Sequence, residues 1–204
     1  MSRITKSPDE RHNELIDAAE MLFIENGYDQ TSVNDIVKKV NVAQGTFYYY
    51  FNSKEDILHA LIERHILFLE QTTRAKLNQT PQDSWQQLQN AMNMLLGLMD
   101  FETRFYQYLH QEKSALLHEK FTEQLIRAFI PLLTPILAAG GASGLFRIGR
   151  PEETAEILLV IIEHLNDKAH LHSTPEEHDR RKASAEYFLN KLLGIQAGKM
   201  TLDF

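Results

Sequence analysis

Cysteine is absent from the 204 residues, which excludes a disulfide framework and any thiolate-based metal site and suits a reducing compartment. Long apolar runs are missing as well. No stretch is expected to reach the length of a membrane span, and the amino end lacks the extended apolar core of a secretory leader. A cytoplasmic protein with no membrane partner is therefore expected. No segment alternates apolar and polar residues over a useful length, so the fold reads as all-α. Catalytic signatures are lacking too: there is no nucleophile elbow, no phosphate-cradling glycine loop after a strand, and no serine or carboxylate pair in a telling context. The expectation is a protein that is not an enzyme and uses no cofactor. Nine histidines are present, but His164, His170 and His172 do not share one helical face and no His-Glu-x-x-His occurs, so no metal site is expected.

Basic residues are in short supply. The chain has 21 Lys and Arg against 28 Asp and Glu, a net charge of −7, whereas nucleic-acid binders are usually basic. Residues 1–56 follow the trend, with six basic against ten acidic side chains and a net of −4. Six of those acids fall on the first helical stretch (Asp9, Glu10, Glu14, Asp17, Glu20, Glu25), and the cations left nearby are Lys38, Lys39, Lys54 and an Arg3/Lys6 arm. With 43% hydrophobic and 24% charged residues the chain is otherwise ordinary for a globular protein, long enough for one domain or two small ones.

The most informative stretch is TSVNDIVKKVNVAQGTFYYYFNSKED, Thr31 to Asp56. Val33, Ile36, Val37 and Val40 recur at helical spacing over 33–40, and Asn41 suits a left-handed cap. A second, short helix is expected over 44–51, with Phe47 and Phe51 on one side and Gln44, Gly45, Thr46, Tyr48, Tyr49, Tyr50 and Lys54 around the rest. Two short helices joined by a tight turn form a helix-turn-helix, which sets its second helix into the DNA major groove. A plain helical hairpin shares the pattern, but the flanks separate the two. Upstream, Leu15, Ala18, Ala19, Leu22 and Phe23 form a stripe that stops at Asn26-Gly27; downstream, Ser53 with Asp56 reads as a capping box opening a helix over 54–76.

This order of elements, with Gly27-Tyr28, Thr31-Ser32-Val33, Asp35-Ile36, Val42 to Phe51 and Ser53-Lys54-Glu55, resembles the N-terminal domain of the TetR family of transcriptional regulators over roughly residues 8–60. The resemblance implies a helix-turn-helix DNA-binding domain over 1–53 and a larger helical effector-binding and dimerisation domain over 54–204. It implies that the acid-rich first helix packs behind the reading helix. It also implies DNA contact by Thr31, Ser32, Gln44, Gly45, Thr46, Tyr48, Tyr49, Tyr50 and Lys54, with Gln44 and Thr46 reaching base edges. The partners expected are a double-stranded palindromic operator, a small-molecule effector and a second copy of the chain.

Other helix starts are legible along the chain. Ser7-Pro8-Asp9-Glu10, Thr80-Pro81-Gln82-Asp83 and Thr174-Pro175-Glu176-Glu177 each place a hydroxyl cap before a proline and an acid, and Arg150-Pro151-Glu152-Glu153 repeats this without the hydroxyl. Further helices are expected over 102–112 and 119–139, a bend at Pro131 and Pro135, and a loop at Gly140–Gly144. Ile157, Leu158, Ile161, Ile162 and Leu165 make one helix apolar around more than half its circumference, and Tyr187, Phe188 and Leu192 mark the last one. A buried central helix explains such a pattern; the resemblance implies instead a two-fold four-helix interface. Met94, Leu98, Phe101, Phe105 and Tyr108 recur at helical spacing and, with Phe129 and His164, are the expected lining of a cavity for a largely apolar or aromatic effector. A helical carrier of a hydrophobic molecule and a helical enzyme using the same cavity are the alternatives at this point.

Overall fold

The computed structural model describes residues 6–79, 83–96, 104–109, 115–169, 174–196 and 199–202. Among the described residues every regular element is helical: α1 Pro8–Asn26, α2 Val33–Val40, α3 Gln44–Tyr50, α4 Lys54–Gln79, α5 Ser84–Leu96, α6 Arg104–Leu109, α7 Ala115–Ala142, α8 Pro151–Ala169 and α9 Pro175–Leu192. The fold is all-α.

Local chemistry accounts for most of the helix ends. Ser7, Ser32 and Thr174 each accept a hydrogen bond from the backbone N–H three residues on, and the acid at that position (Glu10, Asp35, Glu177) accepts from the cap's own N–H. Such caps stabilise by about 1 kcal/mol each. Their carboxyls respond: hydrogen bonds from Ser7 and Ser32 hold Glu10 and Asp35 below the usual range. At Ser53 the box is only half made. The hydroxyl accepts from the Asp56 N–H at 3.1 Å, while the Asp56 carboxylate accepts from the N–H and side-chain amide of Asn52. The expected start at Thr80-Pro81-Gln82 lies outside the described residues, as do Leu98, Phe101 and the ends of the 102–112 helix.

Helix α7 departs from expectation at both ends. It begins at Ala115 rather than 119 and takes in Gly140 and Gly141, where a loop was expected; it contains Pro131 and Pro135, as the expected span does. A side chain on Gly140 would run into the buried Phe146 ring, so the glycine serves close packing, and its carbonyl accepts from the N–H groups of both Leu145 and Phe146. The chain then reverses at Gly144, φ +75°. By length and composition α7 is apolar enough to cross a membrane, which corrects the expectation that no stretch would be. Its Leu117, Phe121, Leu125, Phe129, Leu133 and Leu137 are nevertheless buried, as in the core helix of a folded domain.

By packing, the chain divides into two units. The first comprises residues up to His65 with 103–121 and is therefore wider than the 1–53 expected for the first domain. Its core gathers Leu15, Ala19, Phe23, Ile36, Phe47, Ile57, Leu58 and Ile62. The second comprises 66–102 and 122–204, with Leu88, Met92, Leu95, Phe129, Leu133, Leu158, Ile162 and Leu189 inside. Its carboxyl end is clipped down: Met200 and Leu202 are buried, Asn190 accepts from the Met200 N–H at 3.0 Å, and Glu186 accepts from the Leu202 N–H at 2.9 Å.

Candidate nucleic-acid interface

The first unit presents α3 on a rigid base. Asn41 turns the chain after α2 in the left-handed conformation, φ 57°, as its position suggested. Phe47 and Phe51 point inward and are buried, with the His12 ring stacked on Phe51 at 4.8 Å and edge-on to Tyr50 at 5.9 Å. Anchoring two aromatic rings fixes a helix too short to be stable alone. The opposite side of α3 is open. Gln44, Gly45, Tyr48 and Tyr49 are exposed, Tyr49 at 76%, while Thr46 and Tyr50 are half-buried. A side chain built on Gly45 would meet nothing within 4 Å. Glycine costs about 1 kcal/mol against alanine in a helix, so the packing of this chain gives no reason for it.

Two of the residues expected on this face have other roles. Thr31 is buried, and its hydroxyl donates to the carbonyls of Gly27 at 2.9 Å and Leu22 at 3.2 Å; it ties the α1–α2 turn to the end of α1. Lys54 reaches back across the same turn, donating to the carbonyl of Tyr28 at 2.8 Å and lying 4.2 Å from the centre of its ring. A cation that satisfies a loop carbonyl and an aromatic face is a brace. Ser32 is exposed but engaged as the α2 cap, its hydroxyl also donating to Asp35 at 2.6 Å.

The charge balance of this unit makes sense in the fold. Glu14 pairs with Arg11 and Lys6, Asp17 and Glu20 pair with Arg64, and Glu55 pairs with Lys120. Three acids of α1, Glu14, Asp17 and Glu20, are thus matched by cations, Lys6 and Arg64 coming from outside that helix, while Lys38 and Lys39 stand exposed at the end of α2. Arg64, His65 and Lys120 escaped the sequence reading because their partners lie 44 to 65 residues away in the chain.

The residues expected to line a ligand cavity are dispersed. Phe105 and Tyr108 belong to the first unit, where Phe105 stacks on His65 at 3.7 Å and the Tyr108 hydroxyl accepts from the Tyr28 N–H at 3.3 Å. Burial pushes the Tyr108 phenol upward against that bond, as expected of a ring held inside packing. Met94 is half-buried and Phe129 buried in the second unit. Met94 lies on α5 and Phe105 and Tyr108 on α6, Leu98 and Phe101 lie outside the described residues, and the units divide between Met94 and Phe105.

The α8/α9 pair carries a groove of about 930 Å³, lined by Ile157, Val160, Ile161, His164, Phe188 and Leu192, with Glu177, Arg180, Arg181 and Lys191 among the bordering residues. Ile157, Val160, Tyr187 and Phe188 are exposed, Phe188 at 61%. Leu158, Ile162 and Leu165 are buried within the subunit, because α5 and α9 pack against α8. The apolar circumference of α8 is therefore split: Leu158 and Ile162, expected at an interface, lie in the unit's own core, while Leu165 is buried and also lines the groove. His164 is exposed on the groove rather than inside a cavity. No cluster of three metal-ligating side chains occurs among the described residues.

Residues 15–61 match the family of bacterial regulatory proteins, tetR family. The fatty acid metabolism regulator protein of Bacillus subtilis is 29% identical over 140 residues, spanning 68% of this chain and 72% of that protein. The biofilm operon icaADBC negative transcriptional regulator IcaR of Staphylococcus epidermidis is 41% identical over 51 residues, 25% of this chain and 28% of that protein. Among solved structures, a TetR-family regulator from Syntrophomonas wolfei superposes with a TM-score of 0.72 at 20% identity, covering 94% of this chain and 100% of the other. FadR of Bacillus subtilis, solved with stearoyl-CoA, gives a TM-score of 0.65 at 24% identity over 91% of this chain and 100% of that one. At such identities the likeness concerns the fold.

Proposed function

From the premise that this chain belongs to the TetR family of transcriptional regulators, we propose that it is a ligand-responsive repressor that binds a palindromic operator as a homodimer. The observation that carries this reading is the outward face of α3, polar and aromatic above two buried phenylalanines, with a glycine that the protein's own packing does not require. Gln44 and Thr46 read base edges, Tyr49 meets a thymine methyl or the backbone, and Gly45 admits the sugar–phosphate chain closely. Ser32, Tyr48, Tyr50, Lys38 and Lys39 hold phosphates. Thr31 and Lys54 shape the turn that presents them.

The second unit supplies dimerisation and effector binding. Ile157, Val160, Ile161, Tyr187, Phe188 and Leu192 meet their copies across a two-fold axis, which sets two α3 helices on successive major grooves about 34–36 Å apart. The effector is apolar or amphipathic. Similarity to a regulator of fatty acid metabolism makes long-chain acyl thioesters the first class to try. A coupling of about 1–3 kcal/mol suffices to change operator affinity 5–150-fold.

Selection of bound sequences from random duplex tests the reading. A palindrome is enriched, Gln44→Ala relaxes it at one base position while staying folded, and a long-chain acyl-CoA releases the complex in a gel shift. Failure to enrich any duplex overturns the proposal; enrichment with no release by acyl-CoA overturns the effector class alone.

A further inference from the structure

Glu20 projects from α1 onto two consecutive residues of α4, and each carboxylate oxygen has its own partner. Oε2 accepts from Arg64 Nη2 at 2.6 Å, and Oε1 lies 3.1 Å from His65 Nε2. The other Arg64 terminal nitrogen donates to Asp17 at 2.5 Å, one turn back along α1. The imidazole is held in place, parallel to the Phe105 ring at 3.7 Å and edge-on to Tyr106 at 5.7 Å. Side chains of Glu20 and His65 are only 22% and 15% exposed, so these bonds work partly out of water, where charge-assisted bonds are strong and directional. Burial drives the Glu20 carboxyl upward, yet the hydrogen bonds to His65 and Arg64 and the Arg64 charge outweigh it and hold the group below its usual range.

Apolar packing of α1 is non-directional and tolerates sliding or rolling. A fork that grips two carboxylates one turn apart does not. α2 packs on α1 and α3 packs on α2, so the rotation of α1 about α4 is also the rotation of the reading helix. α4 itself continues unbroken from Lys54 to Gln79.

We propose that Arg64 and His65 are positioning residues that fix the roll of the helix-turn-helix on α4 through Asp17 and Glu20, and thereby set which half-site spacing the dimer accepts. This rests on the operator-binding dimer above. Discrimination by spacing then resides partly in a polar latch 18 residues or more from the base-reading side chains in sequence.

The test uses the full chain and synthetic duplexes carrying the selected palindrome at its own spacing and at one and two base pairs more or fewer. Wild type prefers one spacing. Arg64→Gln and Glu20→Gln lose about tenfold of that preference, while affinity for a duplex with a single half-site changes less than about twofold. Glu20→Asp restores part of the preference, which a merely weakened fold would not do. If folded Arg64→Gln and Glu20→Gln keep the wild-type spacing profile, the latch is wrong. Should either fail to fold, Asp17→Asn decides by the same readout, because that carboxylate is 66% exposed and outside the core. Wild type binding no duplex overturns the operator reading instead, a result distinct from binding at every spacing alike.

Discussion

Two patches of this chain each set a pair of neighbouring aromatic rings in the open, and their surroundings differ. On α3, Tyr48 and Tyr49 stand among Gln44, Gly45 and Thr46. On α9, Tyr187 and Phe188 stand beside Ile157 and Val160 of α8, with charges at the border. The first surface offers hydroxyls and an amide over small polar ground, which water solvates well. The second offers apolar area, unfavourable in water by about 25 cal/mol per Å². Ring exposure by itself would assign both surfaces the same partner; the groups around the rings differ in the direction that the proposed nucleic-acid and protein partners require.

The widest expected gap lies within α3 itself. Phe47→Ala removes a fully buried ring and costs about 3–5 kcal/mol in urea unfolding, whereas Tyr49→Ala on the same helix changes stability by less than about 0.5 kcal/mol and weakens duplex binding. Equal effects on stability would contradict the division of α3 into a buried and an outward side. Next, Phe188→Glu or Val160→Glu weakens self-association by about 2–4 kcal/mol in sedimentation equilibrium and leaves the helical content intact. A dimer that survives both substitutions places the interface elsewhere. Gln44→Ala comes third, relaxing preference at one base position by about 1–3 kcal/mol with an unchanged melting temperature; a uniform loss across all duplexes would make Gln44 a backbone contact.

The smallest effect is acid sensitivity. Because the Glu20 carboxyl is held below its ordinary value, its contribution to stability is complete above that ordinary value and disappears as pH falls through the folded one. Melting temperatures measured between about pH 6 and pH 3 fall less steeply for Glu20→Gln than for wild type. Superimposable acid limbs would show that the carboxylate gains nothing from Arg64 and His65.

Much of this was legible beforehand because it is local. Caps at Ser7 and Thr174, the left-handed Asn41 and the inward pair Phe47 and Phe51 depend on residues within four positions of one another. Long-range partners were not legible. A threonine in a turn looks the same whether its hydroxyl faces solvent or the Gly27 carbonyl, and Lys54 gives no hint that Tyr28 is beneath it. Periodicity set Met94 and Tyr108 in one stripe but could not reveal that they sit on different helices and in different units.

Spacing of side chains along the chain therefore determined the helices, their order and the identity of the short reading helix, since hydrogen bonds and caps within a few residues suffice for each. Tertiary structure alone decided which half of α8 faces inward, why acids crowd α1, and which hydroxyls and cations remain on the surface. Those outcomes depend on what another helix brings within 3 or 4 Å, and no local pattern encodes that approach.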